Sequence, residues 1–485
     1  VAIATDSTIS AGDTTVTFVL GKTTTAEVQA AVPAGGVLTV KLSDTAGNIS
    51  SASTSVTLVS DFVLPTIQLS SSRSTIIAGQ TATITATLSE ASSNFANSDI
   101  SATGGVISGF TGSGTTYSFV FTPTSSSTAP MSIQVLAGVF SDAVGNLNTA
   151  SAALTATVDT VIPVASHVSS STANGAYRAG SAIDIAVTFS KNVVVTTSAG
   201  SPTLLLETGS TDRLASYVGG TGTSVVTFRY VVQTGDVSND LDAQSTSALV
   251  LNGGFIKDLS GNDAVLTLAS PGASNSLGLA KAIVIDTVAP TAPTNVVVTP
   301  VGGTVVANTL LANNTNMTAT ASIVAGQATG GSAELLLGST TIATDTSIAA
   351  GDSSLSFNLN FSTSADLQAA IAAGGQLTVR LLDAAGNASL ASSAVSLTVD
   401  YVKPTATLSS SRSAMKIGET ATISVQLSEP SSTFILTDVA MTGGSLGTFV
   451  AVSSTQYTFI FTPTVGINGG SASLSIAGGA FTDTA

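Results

Sequence analysis

The sequence predicts an all-β chain of tandem β-sandwich domains set end to end as an elongated rod. Three observations lead there: long internal repeats, a recurring turn-and-proline punctuation, and apolar residues that alternate at a period of two.

The repeats come first because they fix the architecture. ATDSTISAGD (Ala4 to Asp13) returns as ATDTSIAAGD (Ala343 to Asp352), and AGGVLTVKLSDTAGN (Ala34 to Asn48) returns as AGGQLTVRLLDAAGN (Ala373 to Asn387). LSSSRS at Leu69 to Ser74 is repeated at Leu408 to Ser413, and all three pairs keep an offset of 339. YSFVFTPT (Tyr117 to Thr124) matches YTFIFTPT (Tyr457 to Thr464) at an offset of 340, a one-residue drift that a loop absorbs.

The punctuation divides this long period. Asp61, Asp159, Asp286 and Asp400 each stand four positions before a proline: Pro65, Pro163, Pro290 and Pro404. Upstream of each lies a D-x-x-G-N turn, at Asp44 to Asn48, Asp142 to Asn146, Asp258 to Asn262 and Asp383 to Asn387. Turn and junction are 17 residues apart in three cases and 28 in the third, where Pro271 marks an insertion. The reading is a three-module superrepeat. Residues 1–61 are the C-terminal part of a first module type, 62–159 a second type, and 160–286 a third. Residues 287–400 are a complete copy of the first, and 401–485 a truncated copy of the second. The chain is expected to be a window on a longer array.

Alternation supplies the strands. Ala82, Ile84, Ala86 and Leu88 share one face, as do Ile183, Ile185, Val187 and Phe189, then Tyr117, Phe119 and Phe121, and Leu377, Val379 and Leu381. Turn signals at Gly104-Gly105, Asn174-Gly175 and Asn252-Gly253 separate such runs, and module lengths suit about seven to nine short strands in two packed sheets. Helical periodicity is confined to Thr25–Ala31 and Ala365–Ala372, each enough for one or two turns.

Composition removes several functional classes. Only 8% of residues are charged and the net charge is −15, with 13 basic residues scattered singly, so nucleic acid is not an expected partner. Mean hydropathy is +0.48, yet Ser, Thr, Gly or Asn interrupts every apolar run, and no membrane insertion is expected. There is no cysteine, so neither disulfides nor thiolate metal sites arise, and a bound metal or a well-packed sandwich must do their work. One histidine, His167, placed on a surface strand, offers no Cys–His dyad and no common zinc site. No phosphate loop or nucleophile elbow is present, and no enzyme activity is expected.

At SSSRS (Ser70 to Ser74), LSE (Leu88 to Glu90), FTPT (Phe121 to Thr124), VFSDAVGN (Val139 to Asn146), AYRAGSAIDIAVTFS (Ala176 to Ser190), LVLNGG (Leu249 to Gly254) and AIVIDTVAP (Ala282 to Pro290), the chain resembles the bacterial immunoglobulin-like repeats of giant surface adhesins, biofilm-associated and type I-secreted ones included. That resemblance implies immunoglobulin-like sandwiches, a secreted or cell-surface location, and calcium between domains.

Calcium takes six to eight oxygen ligands. Glu90, Asp142, Asn146 and Asp159 supply a set placed near the junction of modules two and three; Asp44, Asn48 and Asp61 form one at the first junction, and Asp383, Asn387 and Asp400 its counterpart. The same D-x-x-G-N pattern also suits a plain tight turn. In module three, Lys191 replaces the glutamate that commonly follows F-S in the family. A lysine there repels a cation, which counts against a site at Asp258, Asn262 and Asp286. The loop Gly235 to Asp242, with Asp236, Asp240 and Asp242, reads as a solvated acidic loop, with a cation site as the alternative.

The expected role is a structural and adhesive repeat region, a stiff stalk with Ca2+ at its junctions, whose partners are its own neighbouring domains. Alternatives are a self-assembling surface layer, sheath or filament contacting copies of itself, and carbohydrate-binding modules that meet surface glycans or proteins.

Overall fold

The protein is described by a computed structural model covering residues 2–19, 21–32, 36–58, 60–371, 375–466 and 468–483. Parts of the repeat motifs at Ala34–Gly35 and Ala373–Gly374, the end of the helical reading at Ala372, and the last residues 484–485 lie outside that set.

About 44% of the chain is strand and 5% helix, so the fold is all-β and immunoglobulin-like. In the 67–158 sandwich, Ile67–Ser71, Ala82–Ser92 and Gly105–Pro123 form one sheet. The facing sheet runs Thr75–Ile77, Leu154–Asp159, Met131–Val135, Ile100–Thr103. The register sets Ala82 opposite Phe121, Ile84 opposite Phe119 and Ala86 opposite Tyr117. The stripes read from sequence therefore meet on one face, and their burial alternates with exposed Thr83 and Thr87 and partly buried Thr85. Phe95, Tyr117, Phe119, Phe121 and Phe140 fill the cluster between the sheets.

The 165–286 sandwich is larger. A seven-stranded sheet built on Ala182–Thr196 faces a three-stranded one of Gly175–Tyr177, Ile283–Asp286 and Val237–Ser238. The insertion around Pro271 adds the short helix Leu277–Ala280, with Leu268 and Leu277 buried in the same core. This changes the reading of the acidic loop. Asp242 is buried and accepts hydrogen bonds from the backbone N–H groups of Ala243, Leu277 and Gly272. Asp236 is buried too, paired with Arg213 at 2.8 Å and accepting from the Tyr230 hydroxyl at 2.7 Å. Two of that loop's three aspartates therefore hold the insertion and a core tyrosine in place; only Asp240 is exposed. His167 lies half-buried on Ala165–Ser170, which pairs with Ala182–Thr196.

The third and fourth hydrophobic clusters lie within residues 294–401 and 406–481. Helix Ser364–Ala370 starts where the Thr363 hydroxyl accepts from the Asp366 N–H, and Thr25–Ala31 starts on a capping box of Thr24 and Glu27. The two copies of the first repeat differ in environment. Val379 and Leu381 are fully buried (0% and 1% exposed), whereas Val40 and Leu42 are 39% and 48% exposed. In the later copy, strand Ser332–Leu337 pairs with Gln376–Leu382.

One topological feature recurs. Thr75–Ile77 pairs parallel with Leu154–Asp159, Gly175–Tyr177 with Ile283–Asp286, and Thr309–Leu311 with Thr398–Asp400. Asp159, Asp286 and Asp400 thus each end the last strand of a sandwich, alongside an early one.

Candidate cation sites at the junctions

The D-x-x-G-N turns are built alike. Asp142 Oδ1 accepts from the N–H groups of Val144, Gly145 and Asn146, while Oδ2 accepts from Asn146 Nδ2 at 2.8 Å. Asp44, Asp258 and Asp383 repeat the pattern with Asn48, Asn262 and Asn387. The glycine holds a left-handed φ of +100° at Gly145 and +102° at Gly261, where a side chain would be strained. The turn thus holds its carboxylate by both oxygens, Oδ1 on backbone N–H groups and Oδ2 on the asparagine amide.

Three of the four turns pack against the junction at the start of their own sandwich. Asn146 Nδ2 donates to the Asp61 carbonyl at 3.0 Å, Asn262 to that of Asp159 at 3.1 Å, and Asn387 to that of Asp286 at 2.9 Å. This regroups the residues expected from sequence. Glu90, Asp142 and Asn146 meet Asp61, while Asp159 belongs to the following joint with Lys191 and Asp258. Asp383 and Asn387 hold to Asp286, and Asp400 groups with Glu429 and Asp483 instead. Asp44 and Asn48 bond within their own turn, and Asp61 lies with Glu90 and Asp142. The physical reason is the last strand. Between turn and junction the chain runs the length of the sandwich at roughly 3.3 Å per residue. The 17-residue spacing therefore measures a separation.

A serine places the third side chain. Ser89 Oγ accepts from Thr66 N–H at 2.9 Å and Ser89 N–H donates to the Thr66 carbonyl; Ser190 with Val164 and Ser428 with Thr405 do the same. Glu90, Lys191 and Glu429, each following such a serine, consequently occupy equivalent positions beside the junction. Ser89 and Ser190 stand within the LSE and F-S motifs, but their clamp on the junction backbone is not legible there; each follows the last apolar residue of its stripe and stands just before the charged residue. At the Asp286 junction, Gln327 Oε1 accepts from Thr291 N–H in the serine's stead, at 2.8 Å.

The electrostatics then divide. Ligand oxygens of Asp61, Glu90 and Asp142 lie within 4.8 Å of one another, as do those of Asp400, Glu429 and Asp483. Desolvation, followed by the charges of Asp61 and Asp142, pushes the Glu90 carboxyl above its ordinary range; desolvation with Asp400 and Asp483 does so for Glu429. At the next joint Lys191 Nζ contacts Asp159 Oδ1 and Oδ2 at 3.0 and 2.8 Å, Asp258 Oδ2 at 2.7 Å and the Val161 carbonyl at 2.7 Å. Burial alone would raise the carboxyls of Asp159 and Asp258, but hydrogen bonds from Lys191, with Ser260 and Asn262, bring both below their ordinary value. Burial opposes the Lys191 charge, yet its bonds to the two aspartates raise its pKa overall. The expectation that this lysine spoils a cation site is thus sharpened, since its own ammonium sits among the oxygens.

Both joints flanking the 165–286 sandwich are stitched across. Ala78 N–H donates to Asn262 Oδ1 at 2.8 Å, Ser260 Oγ to Asp159 Oδ2 at 2.8 Å, and Arg178 Nη1 to the Gly386 carbonyl at 2.8 Å. Among the described residues, no helix is long and apolar enough to cross a membrane.

No curated protein matches the chain. Among solved structures, the Escherichia coli adhesin FdeC is similar at 14% identity over 69% of this chain and 96% of its own, with a TM-score of 0.30. A Bacteroides ovatus protein of a mixed-linkage glucan utilization locus, SGBP-B, solved with a mixed-linkage heptasaccharide, is similar at 10% identity over 84% of this chain and 93% of its own, with a TM-score of 0.13. The extracellular region of plexin A4 is similar at 10% identity over 84% and 46%, with a TM-score of 0.15. Residues 61–158 and 400–485, the two regions that open on a junction aspartate and carry the carboxylate trios, match the bacterial Ig-like domain family.

Proposed function

We propose that the chain is a structural and adhesive repeat region of a large bacterial cell-surface or secreted protein, a stiff stalk whose domains divide at Asp61, Asp159, Asp286 and Asp400. The observation that carries this reading is the joint itself: side chains of one sandwich bond to the last residues of the one before, at Asn262 to Asp159 and Asn387 to Asp286. Such contacts take bending freedom away from a linker that is already short.

Calcium belongs to the proposal at two joints. The donor set fits a hard divalent ion: three carboxylates whose oxygens cluster within 4.8 Å of one another. Asp61, Glu90 and Asp142 would hold one ion, and Asp400, Glu429 and Asp483 another. The bound ion supplies positive charge that offsets carboxylate repulsion. The chain's own residues do the positioning, through the Asp142 turn and the Ser89 clamp.

Small-angle scattering and sedimentation of the full chain, in calcium and in chelator, test this reading. An elongated monomer that lengthens or stiffens in calcium is expected, with the responding melting transition raised by roughly 4 °C or more at saturating ion. A compact particle, or lateral assembly burying large areas between chains, would overturn the stalk. Identical melts in both buffers would remove calcium.

A further inference from the structure

The serine clamp sets one residue in the same place three times, and that residue is Glu90, Lys191 or Glu429. We infer that this single position decides whether a joint recruits a metal ion or is closed by a charge of its own chain. The inference rests on the calcium reading of the two acidic trios and adds a selector to it.

Lys191 carries the argument. Its ammonium has four oxygen contacts between 2.7 and 3.0 Å, from two carboxylates and one backbone carbonyl. That is the ligand chemistry of a cation site, filled by a tethered cation. The charge balance agrees. A divalent ion added to three carboxylates leaves one negative charge in excess, and so do two carboxylates with one ammonium. The remaining joint, at Asp286, is built differently. Among the described residues Asp286 and Asp383 have no third carboxylate grouped with them, and the Arg178 guanidinium binds the Gly386 carbonyl of the Asp383 turn. Joints with a carboxylate trio therefore recur at the 339-residue offset that relates Asp61 to Asp400 and Glu90 to Glu429, and the Asp159 joint between them supplies its own positive charge.

Reciprocal exchange on the full 485-residue chain tests the selector. The number of calcium ions bound is read by titration calorimetry after metal removal. Relative to the unaltered chain, Glu90→Lys should lose one ion, Lys191→Glu should gain one, and the double exchange should restore the original number. Melting in chelator gives a second measure, in which Glu90→Lys should melt above Glu90→Gln, and Glu90→Gln above the unaltered chain. If Lys191→Glu unfolds its sandwich in chelator, calcium should refold it. A chain that binds calcium while Lys191→Glu adds no ion, or while Glu90→Lys keeps its ion, overturns the selector and leaves the calcium reading standing. Glu90→Lys melting no higher than Glu90→Gln overturns it as well. An unaltered chain that takes up no calcium overturns both.

Discussion

Asp61, Glu90 and Asp142 converge at one joint, and Asp159, Lys191 and Asp258 converge at the equivalent place one sandwich later. The scaffolds agree in turn, asparagine bridge and serine clamp, so the difference comes down to one charge. Where glutamate stands, like charges crowd and the joint is under electrostatic load. Where lysine stands, the load is relieved from within, and extra bonds from Ser260 and Ala78 gather around it. A conserved backbone frame can thus host opposite electrostatic solutions, and the frame's motif does not disclose which is used.

The largest expected effect breaks the lysine joint. Lys191→Met leaves Asp258, 2% exposed at its side chain, without its cation and should cost about 3 kcal/mol, equally in calcium and chelator, in denaturant unfolding of the full chain. Loss confined to the chelator arm would contradict the self-contained joint.

The asparagine bridges come next. Asn262 binds Asp258, the Asp159 carbonyl and the Ala78 N–H, whereas Asn146 binds Asp142 and the Asp61 and Val63 carbonyls without an acceptor bond across the joint. Asn262→Ala should cost about 2 kcal/mol and Asn146→Ala about 1 kcal/mol by the same measurement. Equal losses would remove the distinction.

Acidity gives the smallest and most diagnostic contrast. The Glu90 pKa is raised on folding, so the folded state holds more protons than the unfolded state between the two values, and stability falls as pH rises through that window. In chelator the 67–158 transition should therefore strengthen as pH drops through the range just above 4.5. Asp159 and Asp258 have lowered pKa values, so their contribution is present above the ordinary carboxylate pKa of 3.8 and is lost as pH falls through the folded values. Calorimetric scans in chelator should show the 67–158 transition rising as pH drops through the range just above 4.5 while the 165–286 transition holds there; below 3.8 both should weaken, since Asp142, like Asp159 and Asp258, has a lowered pKa. A 67–158 transition that does not rise in the upper range would sink the comparison.

Much of the fold was legible in the residues. The stripes Ala82 to Leu88 and Tyr117 to Phe121 name both partners of a ladder, because alternation fixes the buried face and leaves register to the turn. The D-x-x-G-N turns were legible because aspartate, glycine and asparagine each satisfy a local need. The site was only half legible. Its members could be named, but Asp159 was assigned to Glu90 and Asp142 because nearness in sequence stood in for nearness in space. A strand that spans the sandwich inverts that logic. Asp236 and Asp242 were misjudged for a related reason: their partners, Arg213, Tyr230 and the N–H groups of the Pro271 insertion, lie on other elements.

The parallel pairing of an early short strand with the last strand has a mechanical consequence. When the ends of a sandwich are pulled apart, Thr75–Ile77 is drawn one way and Leu154–Asp159 the other, along the strands. Parallel ladders carry evenly spaced bonds across the pair, so tension loads them in shear, together, and does not peel them open one at a time. With the same pairing at Gly175–Tyr177 and Thr309–Leu311, three sandwiches in series resist tension by the same clamp. A tether built this way yields by abrupt release of a whole sandwich, and each release lengthens the chain before the next clamp bears the load.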